Sequence, residues 1–147
     1  MDEIRKELSA GVIVYYDEFM NDRTVRLYLL LNYRHGYWNF AKGKLEGNET
    51  NLEAAIRELH EETGLTAEIF PDFEQPISYM FKDPQGSLVH KTVTYFVGKA
   101  LIKEVVISSE HLSYQWLPLR AALQELTYVN AQQILSMADH FLDSVQK

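Results

Sequence analysis

Gly43–Leu65 reads GKLEGNETNLEAAIRELHEETGL, a run of turn residues leading into a segment that carries three glutamates within five positions, Glu58, Glu61 and Glu62. Leu52, Ala55, Ile56 and Leu59 recur at three- and four-residue intervals, the spacing of one apolar helical stripe. At roughly 100° per residue, Ala54, Glu58, Glu61 and Glu62 form a second ridge, roughly 120° round from that stripe. The spacing therefore predicts a helix whose carboxylates converge on one another and point away from the core. Asn48 or Thr50 can cap its start, and Gly64 suits the left-handed position at its end.

Such a ridge needs compensation. Like charges three and four residues apart destabilise a helix by a few tenths of a kcal/mol per pair. These also sit near the C-terminal end, where the macrodipole disfavours anions. An acidic helix face is ordinarily just solvated, but hard oxygen ligands on one rigid face are also what magnesium or manganese requires.

The flanking residues separate the two readings. Gly43, Glu49, Arg57, Glu58, Leu59, Glu61, Glu62, Gly64 and Leu65 match every fixed position of the Nudix box. The chain resembles the Nudix hydrolases. That resemblance implies an α/β/α sandwich around a central mixed β-sheet, a divalent metal held by Gly43 (through its carbonyl), Glu58, Glu61 and Glu62, and water attack on a phosphoanhydride. Arg57 is expected to orient the carboxylates rather than to touch substrate.

Bulk properties narrow the setting. The 147 residues are 46% hydrophobic and 24% charged, which fits one domain, residues 1–147, with a sizeable core. Absence of cysteine excludes disulfides, thiolate metal sites and cysteine nucleophiles, and agrees with a cytoplasmic setting. The N-terminus, MDEIRKELSAGVIVYY, lacks the features of a signal peptide, and no apolar run approaches the roughly 18 residues of a membrane helix. A net charge of −7 makes long nucleic acid a poor partner. The same charge repels a polyphosphate, so a local basic cluster and metal ions must reverse the sign at the site.

Outward from the central helix, Leu8–Tyr16 and Val25–Tyr33 read as strands separated by a polar loop, Asp17–Arg23. Tyr37–Phe40 is a short aromatic strand. Thr66–Ile69 starts another strand, which Pro71 is expected to break. Ile77–Lys82 and Leu88–Ala100 flank a turn at Asp83–Ser87, whose Pro84 and Gly86 supply the turn chemistry. Ser108–His111 reads as a polar connection, Tyr114–Leu117 as a strand, and Pro118 as the opening of a short helix to about Glu125. A last helix spans about Asn130 to Val145. Alternating strands and helices without repeats or linkers predict a single α/β unit, a mixed sheet between helices.

Three further segments are similar to the asymmetric diadenosine tetraphosphate hydrolases within the family. Ser108-x-Glu110-His111-x-x-Tyr114-x-Trp116-Leu117 resembles the segment that carries an extra metal-binding or general-base glutamate there, which makes Glu110 a candidate for both roles. The general base is thus either a box glutamate or Glu110. Trp38–Lys44 is similar to the Trp-x-x-Pro-Lys-Gly-His lead-in to the box, with Ala41 in place of the proline and Lys44 in place of the histidine. Lys91–Phe96 is similar to a Lys-Thr-Val-x-Tyr-aromatic strand. Lys42 and Lys91 supply the basic cluster, each a point charge able to hold phosphate. Tyr79 and Tyr128 fall where this group stacks adenine, and Trp38 is a further substrate-binding candidate. The resemblance implies magnesium, with manganese as the other dication, and cleavage of diadenosine tetraphosphate to ATP and AMP. Alternatives are another pyrophosphohydrolase substrate (a non-standard dNTP or an RNA 5′ triphosphate end) or a non-catalytic nucleotide sensor, which intact box carboxylates disfavour.

Overall fold

The computed structural model describes residues 3–146. Its organising strand is β1 (Arg5–Met20), which pairs in parallel with β6 (Leu88–Ala100) along one edge, from Arg5↔Val89 to Tyr15↔Lys99. The other edge of β1 has two partners. Its first half, Ser9–Val12, pairs antiparallel with β4 (Ala41–Lys44); its second half, Tyr15–Met20, pairs with β2 (Arg23–Tyr33). β3 (Tyr37–Asn39) and β7 (His111–Leu117) both pair antiparallel with β2, and β5 (Ala67–Lys82) extends the sheet beyond β6. The sheet is therefore mixed, in the order β3-β2-β1-β6-β5 with β4 and β7 as side branches.

Both faces of β1 are covered, which explains why its sequence is a near-continuous apolar run rather than an alternation. Ala10, Val12 and Val14 join Leu29 and Leu31 beneath α1 (Asn51–Thr63). The intervening Ile13 and Tyr15 join Tyr28 and Leu30 on the opposite face, beneath α2 (Leu119–Glu125) and α3 (Val129–Val145). Helices thus lie on both sides of the sheet, in the expected α/β/α arrangement. Among the described residues no helix is long and apolar enough to cross a membrane.

Several local expectations are corrected. Asp17–Arg23 is no loop: β1 and β2 continue to a two-residue turn at Asn21-Asp22, with Met20 paired to Arg23. Both turn residues have positive φ, 51° and 62°, the conformation whose twist matches a tight hairpin and which Asn and Asp tolerate best. Pro71 does not end its strand. The β5–β6 register jumps from Phe70↔Val97 to Glu74↔Phe96, so Pro71–Phe73 bulge out and place Phe73 in the core. A bulge tolerates proline because no ladder N–H is required there.

The α1 stripe also differs from its spacing. Leu52 and Ile56 are exposed (38% and 45%), while Ala54, Ala55, Leu59, Glu62 and Thr63 are buried. The small side chains of Ala54 and Ala55 let the helix lie close on the sheet. It is rotated so that the ridge bearing Glu58 and Glu62 faces protein rather than solvent.

Candidate active site

The central helix begins and ends as its sequence predicts. Thr50 accepts from the Glu53 N–H, and the Glu53 carboxylate accepts from the Thr50 N–H, a reciprocal capping box. Gly64 closes the helix in the left-handed conformation, φ 74°. The last carbonyls of a helix lack internal partners, and two of them recruit a distant loop. Glu62 O accepts from Ser108 N–H (3.1 Å) and Thr63 O from Val106 N–H (2.9 Å). This docks the segment before β7 against α1 and brings Glu110 and His111 to the acidic ridge. Arg34 reinforces the docking, its backbone N–H donating to Glu110 O (3.1 Å) and its guanidinium to Ser109 O.

Arg57 is committed to the protein itself. It donates two bonds to Glu49 (2.7 and 2.9 Å), one each to Glu58 (2.9 Å) and Glu61 (3.1 Å), and one to the Lys44 carbonyl (3.0 Å). A guanidinium suits this planar, forked arrangement. Its contact with Glu49 holds that carboxyl below the usual carboxylate range. Arg57 therefore relieves the repulsion on the ridge and ties α1 to the loop before it.

The three ridge glutamates have different surroundings. The Glu58 carboxylate packs on the backbone of β4; a β-carbon at Gly43 would lie 2.1 Å from its Cδ, so only glycine leaves room. Burial, followed by the nearby Glu62 charge, pushes the Glu58 carboxyl up to about 7, against the pull of Arg57. Glu61 is the most exposed and bonds to Arg57. Glu62 is only 2% exposed. Its Oε1 lies 3.1 Å from the Tyr33 hydroxyl, which also reaches the Phe40 carbonyl, and 3.0 Å from His111 Nε2. The imidazole is not aligned for a hydrogen bond, which leaves His111 Nε2 buried without a partner; the other carboxylate oxygen, Glu62 Oε2, has none either.

Desolvating a polar atom without a partner is costly, so these two buried atoms suit a ligand that would engage them. Donor atoms of Glu62, Glu110 and His111 lie within 4.8 Å of one another, close enough to share a metal ion. The carboxylates are hard oxygen donors, and the unpartnered Glu62 oxygen is the kind of ligand a small dication takes. The residues therefore fit a divalent metal.

Next to this group lies a cavity of about 750 Å³. Tyr79 and Lys91 reach it from paired positions on β5 and β6, and Tyr128 reaches it from the start of α3. Lys42 and Tyr37 line it too, and they also line a second cavity of about 530 Å³ that contains Tyr33, Arg34 and Glu110. The two cavities thus meet at Lys42 and Tyr37, with an aromatic chamber on one side and the carboxylate of Glu110 on the other. The Lys42 ammonium sits 5.4 Å over the Tyr33 ring and 6.0 Å over the Tyr37 ring. Burial, then the charge of Lys91, lowers its pKa to about 8. Lys91 is lowered as well, chiefly by burial.

The structure does not bring Trp38 to either cavity. Its ring packs, half-buried, against the core under α2 and α3. Its backbone N–H donates to Thr127 Oγ1 (2.8 Å), which fixes the residue just before Tyr128. Sequence reasoning missed Tyr37, which lies 5.6 Å from Tyr128 and stacks on Tyr33 at 4.7 Å. It also missed the contact of Tyr33 with Glu62. Neither tyrosine carries a local signal that marks it among the nine in the chain.

A profile of the NUDIX domain matches residues 6–137. The chain is similar to the asymmetrical bis(5'-nucleosyl)-tetraphosphatase of Sus scrofa, 32% identical over 146 residues that cover 93% of this chain and 96% of that protein. It is also similar to the 8-oxo-(d)GTP phosphatase of Mycolicibacterium smegmatis, 34% identical over 112 residues. That match covers 76% of this chain but only 33% of the phosphatase. Among solved structures it is similar to a binary complex of the C. elegans Ap4A hydrolase, with a TM-score of 0.80 and 26% identity, covering 94% of this chain and 98% of the other.

Proposed function

Because the chain belongs to the Nudix family and is a hydrolase acting on phosphoanhydride bonds, we propose that it splits dinucleoside polyphosphates asymmetrically with magnesium, yielding ATP and AMP from diadenosine tetraphosphate. The observation that carries this reading is the meeting of an aromatic cavity and an acidic group at Lys42. A nucleoside fits the first, and a phosphate chain leaving it passes the two lysines before reaching the carboxylates.

Each residue then has a role. Tyr79 and Tyr128 grip a base, since stacking buries its faces at small entropic cost. Lys42 and Lys91 hold phosphates. Glu58, Glu61, Glu62, Glu110 and the Gly43 carbonyl would hold the metal. When bound, the dication neutralises developing phosphate charge and acidifies a water molecule. Arg57 keeps the carboxylates apart and oriented. Trp38 acts on substrate through Thr127, holding Tyr128 in place. The proton of the attacking water goes to Glu58, whose buried carboxylate has a raised proton affinity in the metal-free protein, or to Glu110, which lines the second cavity. Comparing the pH–rate profiles of Glu58→Gln and Glu110→Gln separates these two.

The Mycolicibacterium relative favours a second reading, hydrolysis of a modified nucleoside triphosphate. Purified protein with magnesium and either diadenosine tetraphosphate, 8-oxo-dGTP, unmodified dNTPs or triphosphorylated RNA distinguishes them by chromatography of the products. ATP and AMP in equal amounts, without ADP, are expected from the dinucleotide. Equal or faster turnover of the mononucleotides removes the first reading.

A further inference from the structure

The three glutamates of the ridge are not held by the same means. Arg57 bonds Glu58 and Glu61, at 2.9 and 3.1 Å, and among the described residues makes no bond to Glu62. Glu62 is instead met by Tyr33, from the end of β2, whose hydroxyl lies 3.1 Å from Oε1. Among the described residues that is the only hydrogen bond to its carboxylate, since His111 Nε2 is close but misaligned.

The Tyr33 ring has little freedom to move. It is 6% exposed, stacks on Tyr37 at 4.7 Å and meets the His111 ring edge-on at 4.4 Å. Lys42 Nζ lies over its face at 5.4 Å. At neutral pH a phenol is protonated and has one proton to donate. Two acceptors compete for it, Glu62 Oε1 and the Phe40 carbonyl at 2.7 Å. The carbonyl is nearer, but a charged acceptor draws an O–H roughly twice as strongly as a neutral one. Glu62 therefore keeps a share of the bond.

A carboxylate held by one oxygen from a rigid ring cannot turn about its last torsion, and its other oxygen is then fixed too. That other oxygen, Oε2, is buried and has no partner. Unlike an arginine, a neutral hydroxyl orients a carboxylate without cancelling its charge, so the charge stays available to a cation. We infer that Tyr33 is a positioning residue whose hydroxyl pins Glu62 Oε1 and so leaves Oε2 as the oxygen offered to the dication. This rests on the reading of Glu62 as a metal ligand.

Tyr33→Phe keeps the ring and removes only the hydroxyl. Calorimetric titration of the nucleotide-free variant with manganese should show affinity about tenfold weaker than wild type, the cost of freeing a ligand from its outer hydrogen bond. Turnover should recover in excess metal, because a loosened ligand costs affinity, whereas a distorted fold would not recover. Glu62→Asp draws the carboxylate back from the hydroxyl, and adding Tyr33→Phe to it should weaken manganese binding no further. If Glu62→Asp binds too weakly to titrate, Tyr33→Phe is combined with Glu61→Gln, where the two losses should add. Unchanged manganese affinity in Tyr33→Phe, turnover that excess metal does not restore, or an undiminished further loss in Glu62→Asp overturns the inference, as does non-additivity with Glu61→Gln. Wild-type affinity in Glu62→Gln overturns it together with the ligand reading.

Discussion

Any residue but glycine at position 43 would put a β-carbon into the space of the Glu58 carboxylate. The clash is with a side chain rather than with backbone, so Gly43→Ala is expected to fold normally while displacing Glu58. Manganese affinity and turnover should each fall about 10- to 100-fold, as when a metal ligand is misoriented; calorimetric titration beside an activity assay checks this. Unchanged affinity would mean that Glu58 is not a ligand. The raised Glu58 carboxyl also predicts a pH effect on the metal-free protein. An acid held above its unfolded value binds its proton more tightly folded than unfolded. This contribution to stability is full below about pH 4.5 and is lost as pH rises to about 7. Urea denaturation across that window should show wild-type stability falling relative to Glu58→Gln, and parallel curves for the two proteins would refute the assignment.

At the scale of elements, α1 is the part whose ends were legible and whose rotation was not. Its start rests on the reciprocal bonds of Thr50 and Glu53. Thr50→Ala should cost about 1 kcal/mol of unfolding free energy, measured by urea denaturation, with KM for nucleotide little changed because the cap lies at the opposite end from Glu62. Its rotation follows from what it packs on. Ala54 and Ala55 meet β1 and β4, and the carboxylates of Glu58 and Glu62 are carried inward with them. Leu52 and Ile56 are left in solvent although their spacing marks a core face. Apolar periodicity reports that a helix has two sides; when the buried side must also hold charged ligands, the periodicity misassigns it.

For the whole molecule, a net charge of −7 opposes binding of a polyphosphate, and Lys42 and Lys91 offset it in the cavity that they both line. The buried Oε2 of Glu62, which has no hydrogen-bond partner among the described residues, adds an internal cost that a dication would relieve. Magnesium or manganese should therefore raise Tm, the gain approaching about 3 kcal/mol of stability at free metal one hundred times its dissociation constant. A chelator should reverse it, and Glu62→Gln should abolish it. Absence of any metal-dependent change in Tm, with or without ADP, removes the premise on which the acidic group was assigned.

Gly43–Leu65 alone identified the helix, its caps and the acidic triplet, because these depend on residues within a turn or two of one another. The Asp83–Ser87 turn was legible for the same reason, its Asp83 Oδ1 accepting from the N–H groups of Gln85 and Ser87. Lys42, Lys91, Tyr79, Tyr128 and Glu110 were singled out from motifs, but nothing in their spacing placed four of them on one cavity and Glu110 on its neighbour. Tyr33 and Glu62 meet across 29 positions of chain, and Arg34 reaches Ser109 across 75. Those contacts exist because helix-end carbonyls capture a passing loop and because two strands share opposite halves of one edge of β1. Such pairings are set by where backbone groups find partners once the sheet has closed, and no local pattern of side chains carries that information.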